Sequence, residues 1–123
     1  MNADQRKQRI ASELLDKLPD LKPVAPAIAR HTERLDGSGY PDGLRGEDQI
    51  PLMAQVVGVA SELDSLLTSG SDLGGELPTK LALERVQDLA PAKFSKRVCD
   101  AVLVAYRLNR LFETDDAVFR AQI

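Results

Sequence analysis

One short segment of the sequence concentrates side chains that could bind a metal ion or transfer a proton. His31, Glu33 and Asp36 place one imidazole and two carboxylates within six residues. Such side chains are common metal ligands and common general acids and bases. Asp64, further along the chain, is a fourth candidate. Because His31 is the only histidine in the sequence, a metal held here would be coordinated mostly by carboxylates and water.

The segment after these residues has the composition of a shaped loop. Aspartate, serine, tyrosine and proline alternate there with four glycines, Gly37, Gly39, Gly43 and Gly46. Glycine permits positive φ, and this mixture prevents the preceding helix from continuing. Tyr40 and Pro41 reduce the freedom of the loop, because an aromatic ring packs down and proline fixes φ. We therefore expect an ordered loop over residues 37–46.

The charged residues around this loop also have structural interpretations. A lone His31 at a helix end is expected to bond to the backbone or to Glu33. Glu33 and Asp36 are expected to accept backbone N–H groups of the turn. Asp64, on a helix facing the loop, is expected to be a hydrogen-bonding anchor.

Two arginines and the single cysteine can each be interpreted in two ways. Arg34 and Arg45 could bind a phosphate group or pair with neighbouring acids, and the sequence leaves both open. Cys99 could be a nucleophile, but its place beside an apolar stripe favours an inert, partly buried thiol.

The order of residues over this region resembles a known family. It reads H-x-E-R-x-D-G-S-G-Y-P-x-G-L-x-G from His31, then I-P-x-x-A from Ile50, then V-A-x-x-x-D-x-x-x-T from Val59. This order resembles the signature half of the HD-GYP domain, a bacterial branch of the HD metal-dependent phosphohydrolases that degrade cyclic di-GMP. Weaker similarity extends over residues 14–24 and 82–98.

The resemblance implies an all-α fold and, in active relatives, a phosphodiesterase centre that uses divalent iron or manganese. It also marks a recognition loop made of the signature residues. These are Glu33, Arg34, Asp36, Gly37, Gly39, Tyr40, Pro41, Gly43 and Arg45.

This chain departs from the family pattern at the metal ligands. Thr32 stands where the family has a second histidine, and Ser61 stands where it has a ligand aspartate. A hydroxyl replaces imidazole poorly on iron, manganese or zinc. Residues 70–75, GSDLGG, stand where the family has a phosphate-binding Arg-Pro-Tyr-Arg segment. We expect no catalytic residue, metal or cofactor here, with His31 and Asp64 as relic candidates.

The composition is that of a globular protein without an obvious nucleic-acid or membrane partner. The 123 residues are 43% apolar and 28% charged, with no tryptophan. A net charge of −3 argues against nucleic acid or an anionic membrane as the main partner. One cysteine excludes an internal disulfide and fits a reducing cytoplasm. No stretch has the length and apolar character of a membrane span.

Apolar spacing predicts a bundle of five or six helices in one domain over residues 1–123. One broad face of the central helix should carry Leu52, Val56, Val59 or Ala60, Leu63 and Leu67. Gly58 should allow another helix to approach closely. Ser95 is the expected cap of the fifth helix. The predicted helices span about 3–18, 23–32, 52–68, 78–89 and 95–111, with a short final helix from about 114.

Three functional interpretations stay open. The first is a non-catalytic signalling or protein-interaction module, cytoplasmic, in the cyclic di-GMP or two-component setting. The second is a cyclic di-GMP phosphodiesterase with a rescued metal site or a site completed by another chain. The third is a fragment of a longer gene product whose other half carries the missing ligands. Exposed apolar helix faces favour a homodimer or another signalling protein as partner, and binding of cyclic di-GMP stays open.

Overall fold

The computed structural model describes residues 2–69 and 77–108, which form an all-α fold. Within these ranges no strand is present, and the only β-type pairing is an isolated bridge between Asp36 and Arg45. The predicted fold class is therefore confirmed. The helices are α1 (Ala3–Asp16), a 3₁₀ helix (Pro19–Val24), α2 (Ala25–Arg30), α3 (Leu52–Ser69), α4 (Thr79–Asp88) and α5 (Lys96–Arg107).

Local capping chemistry explains two of the helix starts. The Asn2 side chain accepts the N–H of Gln5, whose own side chain accepts the N–H of Asn2, so two backbone donors at the start of α1 are satisfied. The Ser95 hydroxyl accepts the N–H of Val98 at 3.4 Å and caps α5, as the sequence predicted. The predicted end of this helix near residue 111 and the short final helix lie outside the described residues, as does segment 70–75.

The second predicted helix was wrong in its extent. Instead of one helix over residues 23–32, a 3₁₀ helix runs over Pro19–Val24 and only Ala25–Arg30 is α-helical. Three prolines, at 19, 23 and 26, each lack the N–H that a continuous α-helical ladder needs. The tighter 3₁₀ turn accommodates them in a short piece. The first helix likewise ends at Asp16 rather than Leu18.

The core lies among α3, α4 and α5. It is aliphatic apart from Phe94 and Cys99. Burying such side chains contributes roughly 1.5–3 kcal/mol each, which supplies the main driving force for these three helices to pack. The buried cluster consists of Val59, Leu63, Leu66, Ala82, Leu83, Val86, Phe94, Val98 and Cys99.

The apolar residues of α3 lie along one face, as the sequence predicted, and that face is buried only in part. Val59 and Leu63 are buried in the core, whereas Leu52 and Val56 are 49% and 48% exposed. The same helical stripe therefore covers the core with its second half and faces outward with its first. No helix of the described residues is long and apolar enough to cross a membrane.

A close approach of α2 to α3 holds the first half of the chain in place. A Cβ added at Gly58 would lie 2.8 Å from the carbonyl oxygen of His31, closer than real contacts allow. The predicted role of Gly58 in close helix approach is thereby confirmed. On the other side of α2, the buried Gln8 of α1 donates to the carbonyl oxygen of Ala29 at 2.5 Å. The segment after α2 is consequently fixed between α1 and α3.

Candidate functional site

Glu33 is the internal anchor of the loop that follows α2. Its side chain is fully buried, and its two carboxylate oxygens accept the backbone N–H groups of Asp42 at 2.8 Å and Leu44 at 3.1 Å. Arg30 lies 3.6 Å from the same carboxylate and also pairs with the Asp42 side chain. A carboxylate bound in this way fixes the far side of the loop against its beginning.

Asp36 forms a second anchor, at the surface. Its Oδ1 accepts the N–H of Ser38 at 3.0 Å and the hydroxyl of Ser38 at 2.6 Å, while Lys93 lies 3.5 Å from Oδ2. The hydrogen bonds from Ser38, helped by the positive charge of Lys93, lower the pKa of Asp36 to about 2. Asp36 therefore stays ionised over the whole physiological pH range.

The guanidinium of Arg34 faces the interior rather than a ligand. It donates to the carbonyl oxygens of His31 at 3.0 Å and Glu33 at 2.9 Å, and it lies over the ring of Phe94 at 4.7 Å. Burial lowers the pKa of Arg34, against the opposing effect of the carboxylates of Glu62 and Asp36. Of the two interpretations left open, the structure assigns Arg34 to internal packing and bonding.

Arg45 lies on the outer side of the loop. Its backbone N–H donates to the Gln49 side chain at 2.9 Å. Its side chain lies over Gly37, where an added Cβ would be 2.8 Å from Nε of Arg45. In the part of the chain that the structure describes, no carboxylate lies within ion-pair distance of Arg45. Pro41 and Asp42, on the same loop, are exposed.

A crossing of backbone segments explains one glycine of the loop. A Cβ at Gly39 would lie 2.4 Å from both Glu33 Cα and the carbonyl oxygen of Thr32, so only glycine fits. The next residue, Tyr40, donates its N–H to the same Thr32 oxygen at 3.2 Å. The loop is thus folded back tightly onto its own start, in the ordered form that the sequence predicted.

His31 and Thr32 are held by hydrogen bonds within the protein. His31 Nδ1 lies 2.8 Å from the carbonyl oxygen of Ile28, an arrangement that requires the proton on Nδ1. The Thr32 hydroxyl lies 2.5 Å from Gln8 Oε1 and 2.7 Å from the carbonyl oxygen of Tyr40. The position where the resemblance expects a second histidine therefore forms a junction between α1 and the loop.

Asp64 is not part of this cluster. The prediction that it faces the loop was wrong: its side chain is exposed and lines an apolar groove between α3 and α5. Ser61, at the expected ligand position, is also exposed. Asp64 lies six positions after Gly58 and so projects from a different side of α3 than the one that packs against α2.

The residues around His31 do not fit a metal centre. Over residues 2–69 and 77–108, no three histidine, cysteine, aspartate or glutamate side chains are arranged to hold a metal ion. Both Glu33 oxygens are occupied by backbone N–H groups, and Asp36 Oδ1 is occupied by Ser38. Catalytic metal sites usually draw at least three protein ligands, and among these side chains the described residues leave only His31 Nε2 and Asp36 Oδ2, which is ion-paired with Lys93 at 3.5 Å.

Two residues that fix this site had no signal in the sequence. Gln8 contacts Thr32 across 24 positions, and Lys93 donates to Ser38 at 3.1 Å across 55 positions. Neither residue belongs to a motif, because the contacts depend on how distant helices and turns pack. In the structure Gln8 is marked by its burial, since the other described side chains of α1 are half-buried or exposed.

Comparison with protein families shows the family from which this fold and loop derive. The HD domain family matches residues 5–98, which include α1, α2, the loop, α3 and α4. The chain belongs to the HD domain family. Membership confirms the resemblance read from the sequence at the level of the superfamily.

Curated proteins that resemble this chain carry the names of cyclic dinucleotide phosphodiesterases. The chain is 48% identical over 71 residues to the cyclic di-GMP phosphodiesterase response regulator RpfG of Xanthomonas campestris, covering 56% of this chain and 18% of that protein. It is 34% identical over 85 residues to a cyclic di-GMP phosphodiesterase of Thermotoga maritima, covering 69% of this chain and 23% of that protein.

A third HD domain relative acts on a different cyclic dinucleotide. The 3'3'-cGAMP-specific phosphodiesterase 3 of Vibrio cholerae is 41% identical over 54 residues, covering 44% of this chain and 12% of that protein. The chain therefore spans less than a quarter of the length of each of these relatives.

Proposed function

We propose that this chain is a non-catalytic signalling and protein-interaction module of the HD domain family, related to the HD-GYP proteins of cyclic di-GMP or two-component signalling. One observation carries the proposal: the loop scaffold is present while the donor set around His31 is not that of a metal centre. Glu33 and Thr32 bind backbone and side-chain groups of the protein itself. Hydrolysis of a phosphodiester in this family depends on metal-bound hydroxide, which side chains alone do not replace.

The loop over residues 36–46 is the recognition surface in this proposal. It is fixed from inside by Glu33 and outside by Asp36, so its exposed side chains keep one arrangement. Rigidly held loops are common binding elements, because little conformational entropy is lost when a partner binds. Arg45 offers a cation to an acidic partner or to a phosphate of a cyclic dinucleotide.

The overall charge supports a protein rather than a polyanion as the partner. A net charge of −3 disfavours nucleic acid and anionic membranes, and we propose a cytoplasmic setting in which a signalling protein contacts the loop.

Metal content and hydrolysis test the proposal directly. The purified chain is incubated with cyclic di-GMP and with 3'3'-cGAMP under reducing conditions, with iron or manganese added, and the linear products are quantified. We expect the linear products to form no faster than in buffer alone. We also expect the chain to retain no metal after treatment with a chelator. Turnover that disappears in His31→Ala, with the helix content of that variant unchanged by circular dichroism, would contradict the proposal.

A second candidate function is a phosphodiesterase whose site is completed by another chain. The orientation of His31 favours it: Nδ1 is held by Ile28, which leaves Nε2 as the nitrogen available to a metal. If the second chain is another copy, specific activity should rise with protein concentration. Activity that is absent at every concentration and with both metals would reject this alternative for copies of this chain.

A further inference from the structure

Two apolar surfaces of the chain lie exposed on different elements. The first, here named the α1 ridge, consists of Ile10, Leu14 and Leu18, which are 58%, 58% and 50% exposed. These residues are spaced four apart and so follow one side of α1 and its end. Leu21 and Val24 continue the exposed apolar surface into the 3₁₀ helix. A helix normally turns such a stripe toward a partner.

The second surface, here named the α3/α5 groove, is concave. It has a volume of 540 Å³ and lies between the exposed half of the α3 stripe and α5. Alanines at positions 60, 101 and 105 leave room between the two helices, while Leu52, Val56 and Val102 supply the larger apolar walls. Asp64 and Arg97 are the two charged residues among the described residues that line it.

The α1 ridge cannot fill the α3/α5 groove of its own chain. The buried Gln8 ties α1 to α2 through the Ala29 carbonyl and to the loop through Thr32. In the described residues α1 contacts α2 and the 3₁₀ helix but neither α3 nor α5. Each chain therefore presents one apolar projection and one apolar depression that it cannot join internally.

We propose that the α1 ridge of a second copy occupies the α3/α5 groove, and that the exchange is mutual. A one-sided contact of this kind would leave a ridge and a groove open at each end and would grow into a filament. A two-fold exchange closes the assembly as a dimer and buries both ridges and both grooves. This inference does not depend on whether the chain hydrolyses a cyclic dinucleotide.

Charge complementarity supports the second copy as the occupant. Lys7 precedes Ile10 by three positions, Glu13 follows Ile10 by three, and Lys17 lies between Leu14 and Leu18, so charges of both signs border the ridge. Asp64 lines the groove and has no ion-pair partner among the described residues. The groove likewise carries one charge of each sign, Asp64 and Arg97, so a lysine of the ridge can pair with Asp64 and Glu13 can pair with Arg97. The loop over residues 36–46 stays exposed in this assembly.

Oligomeric state tests the proposal. Light scattering on the full chain at micromolar concentration should give twice 13.4 kDa. Leu14→Glu in the ridge and Ala101→Glu in the groove should each raise the dimer dissociation constant at least about 100-fold, because a carboxylate would be buried without a partner. Both sites are exposed in the chain, so folding should be unaffected. Leu81→Glu, at an exposed apolar residue of α4, is the matched control and should stay dimeric.

Mixing the two variants tests the reciprocity. The Leu14→Glu chain keeps its groove and the Ala101→Glu chain keeps its ridge, so the mixture should regain one contact and form a weak heterodimer. Oxidation of a chain carrying Leu14→Cys and Ala101→Cys should link two copies, whereas Leu81→Cys with Ala101→Cys should not. A monomeric wild type, a dimer unaffected by both glutamates, or growth into larger assemblies would each overturn the proposal.

Discussion

The carboxylate of Glu33 binds the backbone N–H of Asp42 at 2.8 Å and so joins the two sides of the loop across nine positions. Its other oxygen binds the N–H of Leu44 at 3.1 Å. This buried side chain closes the loop together with the isolated bridge between Asp36 and Arg45. The exposed residues of the loop keep their arrangement because this interior bond is shielded from water.

Removing this carboxylate should destabilise the fold. Glu33→Ala leaves two N–H groups near the interior without an acceptor, and we expect a loss of about 3 kcal/mol in the free energy of unfolding. Glu33→Gln keeps one acceptor and should lose less. Urea unfolding followed by circular dichroism measures both, with Glu84→Ala at an exposed site of α4 as the control. Equal stability of Glu33→Ala and wild type would show that the carboxylate does not fix the loop.

Asp36 should make stability depend on pH in the acid range. Its pKa in the folded protein is lowered from 3.8 to about 2, so the ionised form is favoured by folding. The stabilisation is complete above the unfolded pKa and is lost as the pH falls from about 4 toward 2. The difference in unfolding free energy between wild type and Asp36→Asn should therefore shrink over that interval.

The side chain of Ser38 supplies the largest part of that pKa shift and offers a separate test. Ser38→Ala removes the 2.6 Å hydroxyl bond and should raise the pKa of Asp36 toward its ordinary value. Carboxyl carbon chemical shifts followed through an acid titration measure the change. An unaltered titration in Ser38→Ala would assign the low pKa to another cause.

Gly58→Ala should destabilise the protein although alanine favours helices. In the interior of a solvent-exposed helix, replacing glycine with alanine stabilises the helix by up to about 1 kcal/mol. Here the added Cβ would lie 2.8 Å from the His31 carbonyl oxygen, and we expect a net loss of about 1–3 kcal/mol as α2 is pushed away. Ser61→Ala, exposed on the same helix, is the control and should be neutral or slightly stabilising. Thermal unfolding shows whether each replacement lowers or raises the stability of the protein.

Cys99 should react only when the fold opens. The thiol is fully buried and contacts the Val86 carbonyl oxygen at 3.8 Å, and burial together with Asp100 raises its pKa. The rate of modification by a disulfide reagent should therefore follow the population of opened molecules and increase steeply with urea. Modification in native buffer as fast as that of a small free thiol would show that the site is accessible.

The sequence by itself determined the elements whose causes are local. The Ser95 cap, the bounds of α4 and the loop of glycines around Tyr40 follow from neighbouring residues, because capping, φ restrictions and helical spacing act over a few positions. The order of the signature residues also determined the family, since it reflects ancestry and not packing.

Only the tertiary structure decided which of these residues meet. The spacing of α3 indicates an apolar stripe but not which part of it enters the core, so the burial of Val59 beside the exposed Val56 and the place of Asp64 in a groove could not be predicted. Thr32 binds Gln8 across 24 positions because α1 packs on α2, and no local pattern encodes that contact. Helical periodicity fixes the side of a helix on which a residue lies, whereas its neighbours depend on the arrangement of all the helices together.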